Sequence, residues 1–274
     1  MQLGILGPIQ ANCAGISCVP SAVKSRKVLA LLLVNADSVV SLTAIKQELW
    51  DQDAPRSAST TLQTYILQLR KLLDAALPSG SPSPKDILAT RPGGYVFHIG
   101  SGSLDLHQYE ALMAGGQASM DSADWGAAAE RFRRALDLWR GPSLEDIEHG
   151  RQLETHVIKL NESRLYAMEQ LIEAEMLLGR HHAIIAQLAA LVTEHRLNED
   201  LRAQFMLALY RCGRRAQALE TFRNLRDQLV GEIGVEPSTK LTRLHQAILT
   251  SDPRLDELHN TKTVTGSWPV ASVS

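Results

Sequence analysis

Residues 57–73, SASTTLQTYILQLRKLL, decide how the N-terminal part of the chain folds. At 3.6 residues per turn, one side of a helix through this stretch is apolar and is formed by Leu62, Ile66, Leu69 and Leu73, flanked by Tyr65 and Leu72. The opposite side carries polar and basic side chains: Thr60, Gln63, Thr64, Gln68, Arg70 and Lys71. Such side chains suit both base edges and phosphates. The pattern predicts an amphipathic helix whose outward face contacts nucleic acid.

The outward face of this helix also allows other interpretations. A solvated helix would carry Lys and Arg near its C-terminal end as well, because cations there complement the helix dipole. Leu67 is the one leucine on the outward face. It predicts contact either with a thymine methyl group or with protein, which would be a loop of the same domain or a dimer partner. The helix by itself leaves these alternatives open.

The segments around this helix predict a small domain of mixed structure. Short apolar segments at residues 2–6, 9–13 and 16–19 indicate an antiparallel sheet, and residues 24–35 and 42–50 indicate two helices, the second capped by Ser41. Residues 87–90 and 95–99 flank Arg91-Pro92-Gly93-Gly94, which is typical of a hairpin. A sheet, three helices and a hairpin form a winged helix-turn-helix, whose third helix enters the major groove.

From Leu104 onward the sequence predicts helices only. The helical segments are residues 106–118, 125–139, 151–178, 181–194, 200–212, 215–230 and 237–249. Residues 207–222 match the tetratricopeptide pattern, and weaker matches occur at 125–135 and 177–183. We therefore expect a mainly α chain with a small β component. Its parts are a winged helix-turn-helix at 1–100, an all-α tetratricopeptide-like domain at 104–250 and a disordered polar tail at 251–274.

Charge and cysteine content indicate the compartment and the partner class. The net charge is -2, yet residues 1–100 hold nine Lys and Arg against six Asp and Glu, so the N-terminal part is mildly basic. The three cysteines, Cys13, Cys18 and Cys212, imply no disulfide framework. The N-terminus MQLGILGPIQ has neither a basic region nor a long apolar run. We expect a cytoplasmic protein with no membrane partner.

No residue pattern predicts catalysis, a cofactor or a metal site. A phosphate-binding Gly-rich Lys-Ser/Thr loop is absent from the sequence, and Gly93-Gly94 is not followed by a helix. His181 and His182 point about 100° apart on a helix and lack an acidic or Cys partner at ligand spacing. The cysteines have no CxxC spacing. The sequence therefore predicts a protein that is not an enzyme.

Two further residues are predicted to contact DNA, and each has a structural alternative. Trp50 ends the second helix, where its indole N–H is able to donate to a phosphate, although a tryptophan at that position also suits the core. Arg91 lies at the hairpin tip and is able to enter a minor groove. An exposed hairpin arginine serves equally well as a solubilising residue.

Motifs along most of the chain resemble one known family. In the first part they are GILGP at 4–8, KSRKVLALLL at 24–33, ELW at 48–50, TLQTYI at 61–66, LRK at 69–71 and RPGGY at 91–95. In the second part they are ALDLWRGP at 135–142, LGRH at 178–181, LALYR at 207–211 and GVEP at 234–237. Together these motifs resemble the Streptomyces antibiotic regulatory protein (SARP) family, which combines an OmpR/PhoB-type winged helix with a bacterial transcriptional activator domain.

The resemblance implies an activator of an antibiotic or other secondary-metabolite gene cluster. It implies partners as well: direct repeats in double-stranded DNA near a promoter, RNA polymerase holoenzyme with its sigma factor, and a second copy of the chain on DNA. By motif matching, residues 60–71 with Thr61 form the recognition helix, and residues 91–95 with Gly94 and Tyr95 form the wing. The resemblance also implies that the loop with Asp51, Gln52, Asp53 and Arg56 faces the polymerase.

Two other functions remain open at the level of sequence. A repressor or an architectural DNA-binding protein would have the same fold and the same outward helix face. A helical-repeat adaptor would use the winged module for protein contacts alone. Neither composition nor periodicity distinguishes these functions from activation.

Overall fold

The computed structural model describes residues 1–256, and within this range the chain forms two compact units. Unit 1 contains residues 1–114 and 134–167, whereas unit 2 contains residues 115–133 and the chain from residue 168 onward. In the described part of the chain all strands lie before residue 105, and helices make up most of the rest. This architecture confirms the predicted fold class.

Strands and helices follow one another in the predicted order. The strands are β1 (Gln2–Gly4), β2 (Gln10–Cys13), β3 (Ile16–Ser17), β4 (Val40–Ser41), β5 (Leu88–Arg91), β6 (Gly94–Phe97) and β7 (Ser103–Leu104). The helices are α1 (Val23–Val34), α2 (Leu42–Trp50), α3 (Ala58–Ala76), α4 (Pro84–Ile87), α5 (Asp105–Asp121), α6 (Trp125–Asp137), α7 (Arg151–Leu177), α8 (His181–Glu194), α9 (Glu199–Arg211), α10 (Arg215–Ile233) and α11 (Thr239–Thr250). Of these elements, β4, α4 and β7 were not predicted from the sequence.

Two small sheets frame the helices of unit 1. The first sheet has the order β3-β2-β1-β7, in which β7 runs parallel to β1 and the other pairs are antiparallel. The second sheet has the order β4-β6-β5 and is antiparallel throughout. Strand β4 joins it next to the hairpin, because Val40 pairs with Tyr95 and Ser41 pairs with Gly94. The hairpin of β5 and β6 and the added strand β4 therefore form a three-stranded wing.

Helix α1 lies at the centre of unit 1. Residues 28–33, which are consecutive in α1, are all buried, whereas a surface helix buries one face only. The inner faces of α2 and α3 and both sheets contribute to the same core. Helix α3 contributes the predicted stripe of Leu62, Ile66, Leu69 and Leu73. Burial of this stripe determines which face of α3 remains outside.

Carboxylates in unit 1 bind backbone amides that are distant in sequence. Asp105 accepts hydrogen bonds from the amides of Ile5 (2.9 Å) and Leu6 (3.1 Å) and forms an ion pair with Arg140 (3.0 Å). Asp146 accepts from the amide of Ile9 at 2.8 Å. The turn between β1 and β2 is therefore held by side chains that lie about 100 or more positions later.

Glu48 makes the most extensive of these contacts. Its side chain is 3% exposed, and its two oxygens accept hydrogen bonds from the amides of Gly150 (2.6 Å), Gln152 (2.9 Å) and Leu153 (3.1 Å). These amides lie at the start of α7, where the first N–H groups of a helix have no intrahelical partner. Glu48 therefore caps α7 from the helix that precedes α3.

Trp139 was predicted to end a helix, but α6 ends two residues earlier, at Asp137. The tryptophan lies in the following loop and is buried against Tyr109, with the ring centroids 5.7 Å apart in an edge-to-face arrangement. The guanidinium of Arg164 lies 4.9 Å from the tryptophan ring centroid. These aromatic and cation–π contacts fix the ring outside the helix.

Unit 2 is a succession of packed helices. Helices α8, α9, α10 and α11 each contact the next along the chain. Gly213 separates α9 from α10 with a φ of 74°, a conformation that glycine adopts without strain. Ala208 and Ala218 are fully buried in α9 and α10, which allows close approach of the helices. This is the arrangement that the repeat pattern predicted.

The predicted disordered tail is wrong for residues 251–256. Asp252 caps a 3-10 helix at Pro253–Leu255, and Leu255 is fully buried. The carbonyl of Leu255 also accepts a hydrogen bond from Arg211 Nε at 2.8 Å. A single apolar anchor therefore orders a segment whose composition is polar. The remaining residues of the predicted tail, 257–274, lie outside the described residues.

We expect Glu48→Ala to lower the free energy of unfolding by about 3 kcal/mol, because three buried or half-buried amides lose a charged acceptor. Glu48→Gln keeps an oxygen acceptor and should lose less. Urea unfolding followed by circular dichroism measures the difference. Glu154→Ala is the matched control, since Glu154 is an exposed carboxylate in the same first turn of α7. Equal losses in the Glu48→Ala and Glu154→Ala variants would contradict the capping role.

Candidate nucleic-acid interface

Helix α3 presents the outward face that its sequence predicts. Its buried side is formed by Ala58, Leu62, Ile66, Leu69, Leu73 and Ala76. Of the predicted contact residues, Thr60, Gln63, Thr64, Gln68 and Lys71 are exposed, whereas Thr61 and Arg70 are half-buried. The helix continues to Ala76 and so adds Asp74, an exposed carboxylate that the stretch 57–73 lacks. The basic and amide side chains therefore lie N-terminal to a single acidic residue.

The two glutamines of the face differ in their surroundings. Gln68 Oε1 accepts a hydrogen bond from Ser25 Oγ of α1 at 2.9 Å, so its amide group is oriented by the protein. Gln68 and Lys71 also line a cleft of about 350 Å³ whose opposite wall is the segment Pro20, Ser21 and Ala22. Gln63 is exposed five residues earlier in the same helix. A glutamine whose carbonyl and amino groups are both accessible pairs with adenine in a bidentate manner.

Threonines occupy the N-terminal half of the outward face. Thr64 Oγ1 donates a hydrogen bond to the carbonyl of Thr60 at 3.1 Å, which leaves its oxygen as an acceptor and its methyl group exposed. The hydroxyl of Ser59 accepts from Lys46 Nζ of α2 at 2.8 Å. A lysine charge therefore lies beside the start of α3. Lys46 was not among the predicted contact residues, although helical spacing in α2 places it away from the buried Ile45 and Leu49.

Arg70 joins α3 to the wing. Its guanidinium donates to the carbonyl of Leu88 from Nε (3.0 Å) and Nη2 (2.6 Å), and Nη2 also lies 3.0 Å from Thr90 Oγ1. Both partners belong to β5. The structure thus brings Arg70 together with the wing rather than leaving it extended on the outward face. Lys71 is the basic residue of α3 that remains exposed.

The wing presents Arg91 and buries Tyr95. Arg91, Pro92 and Gly93 are exposed, and Gly93 has a φ of 80°. Gly94 is buried, and a Cβ there would overlap the Val40 carbonyl of β4. Tyr95 is 7% exposed and belongs to the core of unit 1. Of the predicted wing contacts, Arg91 is therefore the side chain at the surface, while Gly94 and Tyr95 shape the hairpin behind it.

Trp50 is the last residue of α2, and the loop that follows it leads to α3. Trp50 is half-buried against the core, and the Lys24 ammonium lies 5.2 Å from the centroid of its ring. In the loop, Asp51, Gln52, Asp53 and Arg56 are all exposed. Asp51 has a φ of 50°, and its amide donates to the carbonyl of Gln47 at 2.9 Å. A hydrogen bond therefore holds the first residue of the loop, and the charged side chains of the loop are exposed to solvent.

Residues 1–256 are the part of the chain that the structure describes. This range contains no group of three or more His, Cys, Asp or Glu side chains placed to hold a metal ion. None of its helices combines the length and the apolar character that crossing a membrane requires.

Two family models together account for most of the chain. Residues 18–97 match the model described as "Transcriptional regulatory protein, C terminal". Residues 104–249 match the model described as "Bacterial transcriptional activator domain". The first match contains α3 and the wing, and the second contains the helices from α5 to α10 and nearly all of α11.

Individual proteins match over almost the whole chain. Regulatory protein DnrI of Streptomyces peucetius is 44% identical, with 93% of this chain and 94% of that protein covered. Regulatory protein AfsR of Streptomyces coelicolor is 33% identical over 94% of this chain, which corresponds to 25% of that protein. The solved structure of Mycobacterium tuberculosis EmbR in complex with a low-affinity phosphopeptide is 32% identical. It superposes with a TM-score of 0.85 over 91% of this chain and 65% of that chain.

These matches join an OmpR/PhoB-type winged helix to a bacterial transcriptional activator domain in the order that the sequence motifs predicted. The names of the family models and of the relatives describe regulators of transcription and not enzymes. The chain belongs to the SARP family of transcriptional regulators.

Proposed function

We propose that this regulator is a sequence-specific DNA-binding activator that controls a secondary-metabolite, or antibiotic, gene cluster. The observation that carries the proposal is the set of exposed polar side chains on α3 together with the hydrogen bonds from Arg70 to Leu88 and Thr90, which link this helix to the wing. A recognition helix and a wing that are linked by hydrogen bonds dock on a duplex as one rigid body. We place this activity in the cytoplasm, where bacterial DNA and RNA polymerase are located.

The contacts of the outward face suggest how it binds a duplex. Helix α3 enters the major groove, and Gln63 pairs with an adenine because its amide is exposed. Gln68 donates from its amino group, since its oxygen already accepts from Ser25. The threonines Thr60, Thr61 and Thr64 contact bases and backbone near the helix start. Lys71 neutralises a phosphate, Trp50 donates to another, and Arg91 enters the neighbouring minor groove.

Binding to direct repeats requires two copies that face the same way. Such copies contact each other head to tail, because a two-fold axis would reverse one of them. A modest contact between copies is sufficient, since each bound copy raises the effective concentration of the next. We propose that the chain forms this homodimer on DNA.

The exposed loop between α2 and α3 supports a contact with RNA polymerase. Its carboxylates Asp51 and Asp53 and the cation Arg56 project from a segment that contributes nothing to the outward face of α3. A polymerase holoenzyme with its sigma factor would bind this loop while α3 occupies the groove. Recruitment then raises the occupancy of the promoter by polymerase.

Lys71→Ala should weaken binding to specific and non-specific duplexes alike, by about five-fold at physiological salt, and reduce the slope of log affinity against log salt by about one. The reason is the loss of one phosphate neutralisation. Fluorescence anisotropy at several salt concentrations measures both quantities. Lys85→Ala, an exposed lysine of α4, is the matched control. Unchanged duplex affinity in the Lys71→Ala variant would favour a protein-binding adaptor.

Arg70→Ala should loosen the wing, because the link from α3 to β5 is lost. We expect amide hydrogen exchange in residues 88–97 to rise about ten-fold or more, and duplex affinity to fall with it. Thr90→Val removes only one of the three hydrogen bonds and should have a smaller effect on both measurements. Wing exchange that is identical in the Arg70→Ala variant and the unmodified protein would show that the link does not hold the wing.

Asp51→Asn with Asp53→Asn should lower promoter output several-fold in transcription with purified holoenzyme, while duplex affinity stays the same. The amide side chains keep the size of the loop residues and remove their charge. Glu110→Gln, an exposed carboxylate of α5, is the control variant. If the unmodified protein lowers promoter output instead of raising it, the chain is a repressor.

A further inference from the structure

Leu67 is an isolated apolar side chain on the outward face of α3. It is 54% exposed, and every other leucine or isoleucine of this helix is buried or half-buried. Its neighbours three and four positions away are Gln63, Thr64, Arg70 and Lys71. The side chain is therefore surrounded by groups that suit a duplex, in the middle of the face that carries them.

The surroundings of Leu67 decide between the two kinds of partner. The core of a protein interface is a contiguous apolar patch that is depleted in charge, whereas Leu67 has polar and basic neighbours on α3. The major groove offers a matching surface, since it is polar except for the C5-methyl group that each thymine presents. An isolated apolar side chain among amides, hydroxyls and an ammonium is complementary to an isolated methyl group among polar base edges.

We propose that Leu67 is a specificity-determining residue that contacts the methyl group of a thymine in the major groove. The proposal rests on the proposed DNA-binding function and adds a base preference to it. Gln63 and Leu67 lie about 6 Å apart along the helix axis, and base pairs are stacked about 3.4 Å apart. The contacted thymine therefore lies within about two base pairs of the base that Gln63 contacts.

The test removes the methyl group from the DNA and the leucine from the protein. The full chain selects duplexes from a random-sequence library, and each thymine of the selected duplex is then replaced by deoxyuridine. The unmodified protein should lose about four-fold in affinity at one thymine, which corresponds to one buried methyl group. Leu67→Ala should bind the thymine duplex about four-fold more weakly and show no further loss with deoxyuridine.

Two controls separate this contact from other causes. Ile16→Ala removes a similarly exposed apolar side chain (52%) from β3, which carries none of the interface residues, and should keep the preference for thymine over deoxyuridine. Gln63→Ala should keep that preference as well while losing overall affinity. Circular dichroism of all three variants checks that they fold, which we expect because each altered side chain is exposed.

Three results would overturn the proposal. The first is a Leu67→Ala protein that distinguishes thymine from deoxyuridine as well as the unmodified protein does. The second is a Leu67→Ala protein that is weakened on a two-repeat duplex but not on a single repeat, which would make Leu67 a contact between copies. The third is an unmodified protein that binds no duplex, and this result would overturn the proposed function together with the thymine contact. The first two results would overturn the thymine contact but leave the proposed DNA-binding function intact.

Discussion

The Glu48 carboxylate is the interaction on which the arrangement of unit 1 depends. It satisfies three amides at the start of α7, and it does so from α2, the helix that leads into α3. Burying a carboxylate costs free energy unless such donors surround it. The Glu48 carboxylate at the end of α2 and the amides at the start of α7 therefore satisfy each other. Together with Asp146 and the ion pair between Asp105 and Arg140, Glu48 makes residues 134–167 a structural part of unit 1.

Arg70 has a related role at the surface. Sequence alone assigns its guanidinium to phosphate or guanine, whereas the structure uses it to hold the wing against α3. Arg70 keeps its positive charge, but its N–H groups donate to β5, so Lys71, Lys46 and Arg91 are the cations whose donors are not used to hold the wing. Affinity in such a protein depends on shape and on base contacts to a greater degree than in a strongly basic one.

Much of the fold could be predicted because helices and the wing leave periodic patterns. The stripe from Leu62 to Leu73 and the glycines of the hairpin are local features, and they located α3 and the wing correctly. Strands β4 and β7 are two residues long, too short for a period to be visible. The contacts of Glu48, Asp105 and Arg70 join positions far apart in sequence, so a single sequence contains no local trace of them. The burial of Tyr95 could not be predicted from the sequence either, because a residue two positions from a hairpin turn is expected at the surface.

The hydrogen bond between Ser25 and Gln68 has a consequence for how the two glutamines of α3 act. Gln68 is ordered in the free protein, so a contact with a base edge costs it little conformational entropy. Gln63, without that support, loses rotamer freedom when it binds, at a cost of about 0.5–1.5 kcal/mol. In the proposed complex with DNA, base contacts at the Gln68 end of the face would therefore be rigid and those at the Gln63 end adaptable. Operators of the proposed kind that are related in sequence should then vary more freely where Gln63 makes contact than where Gln68 does.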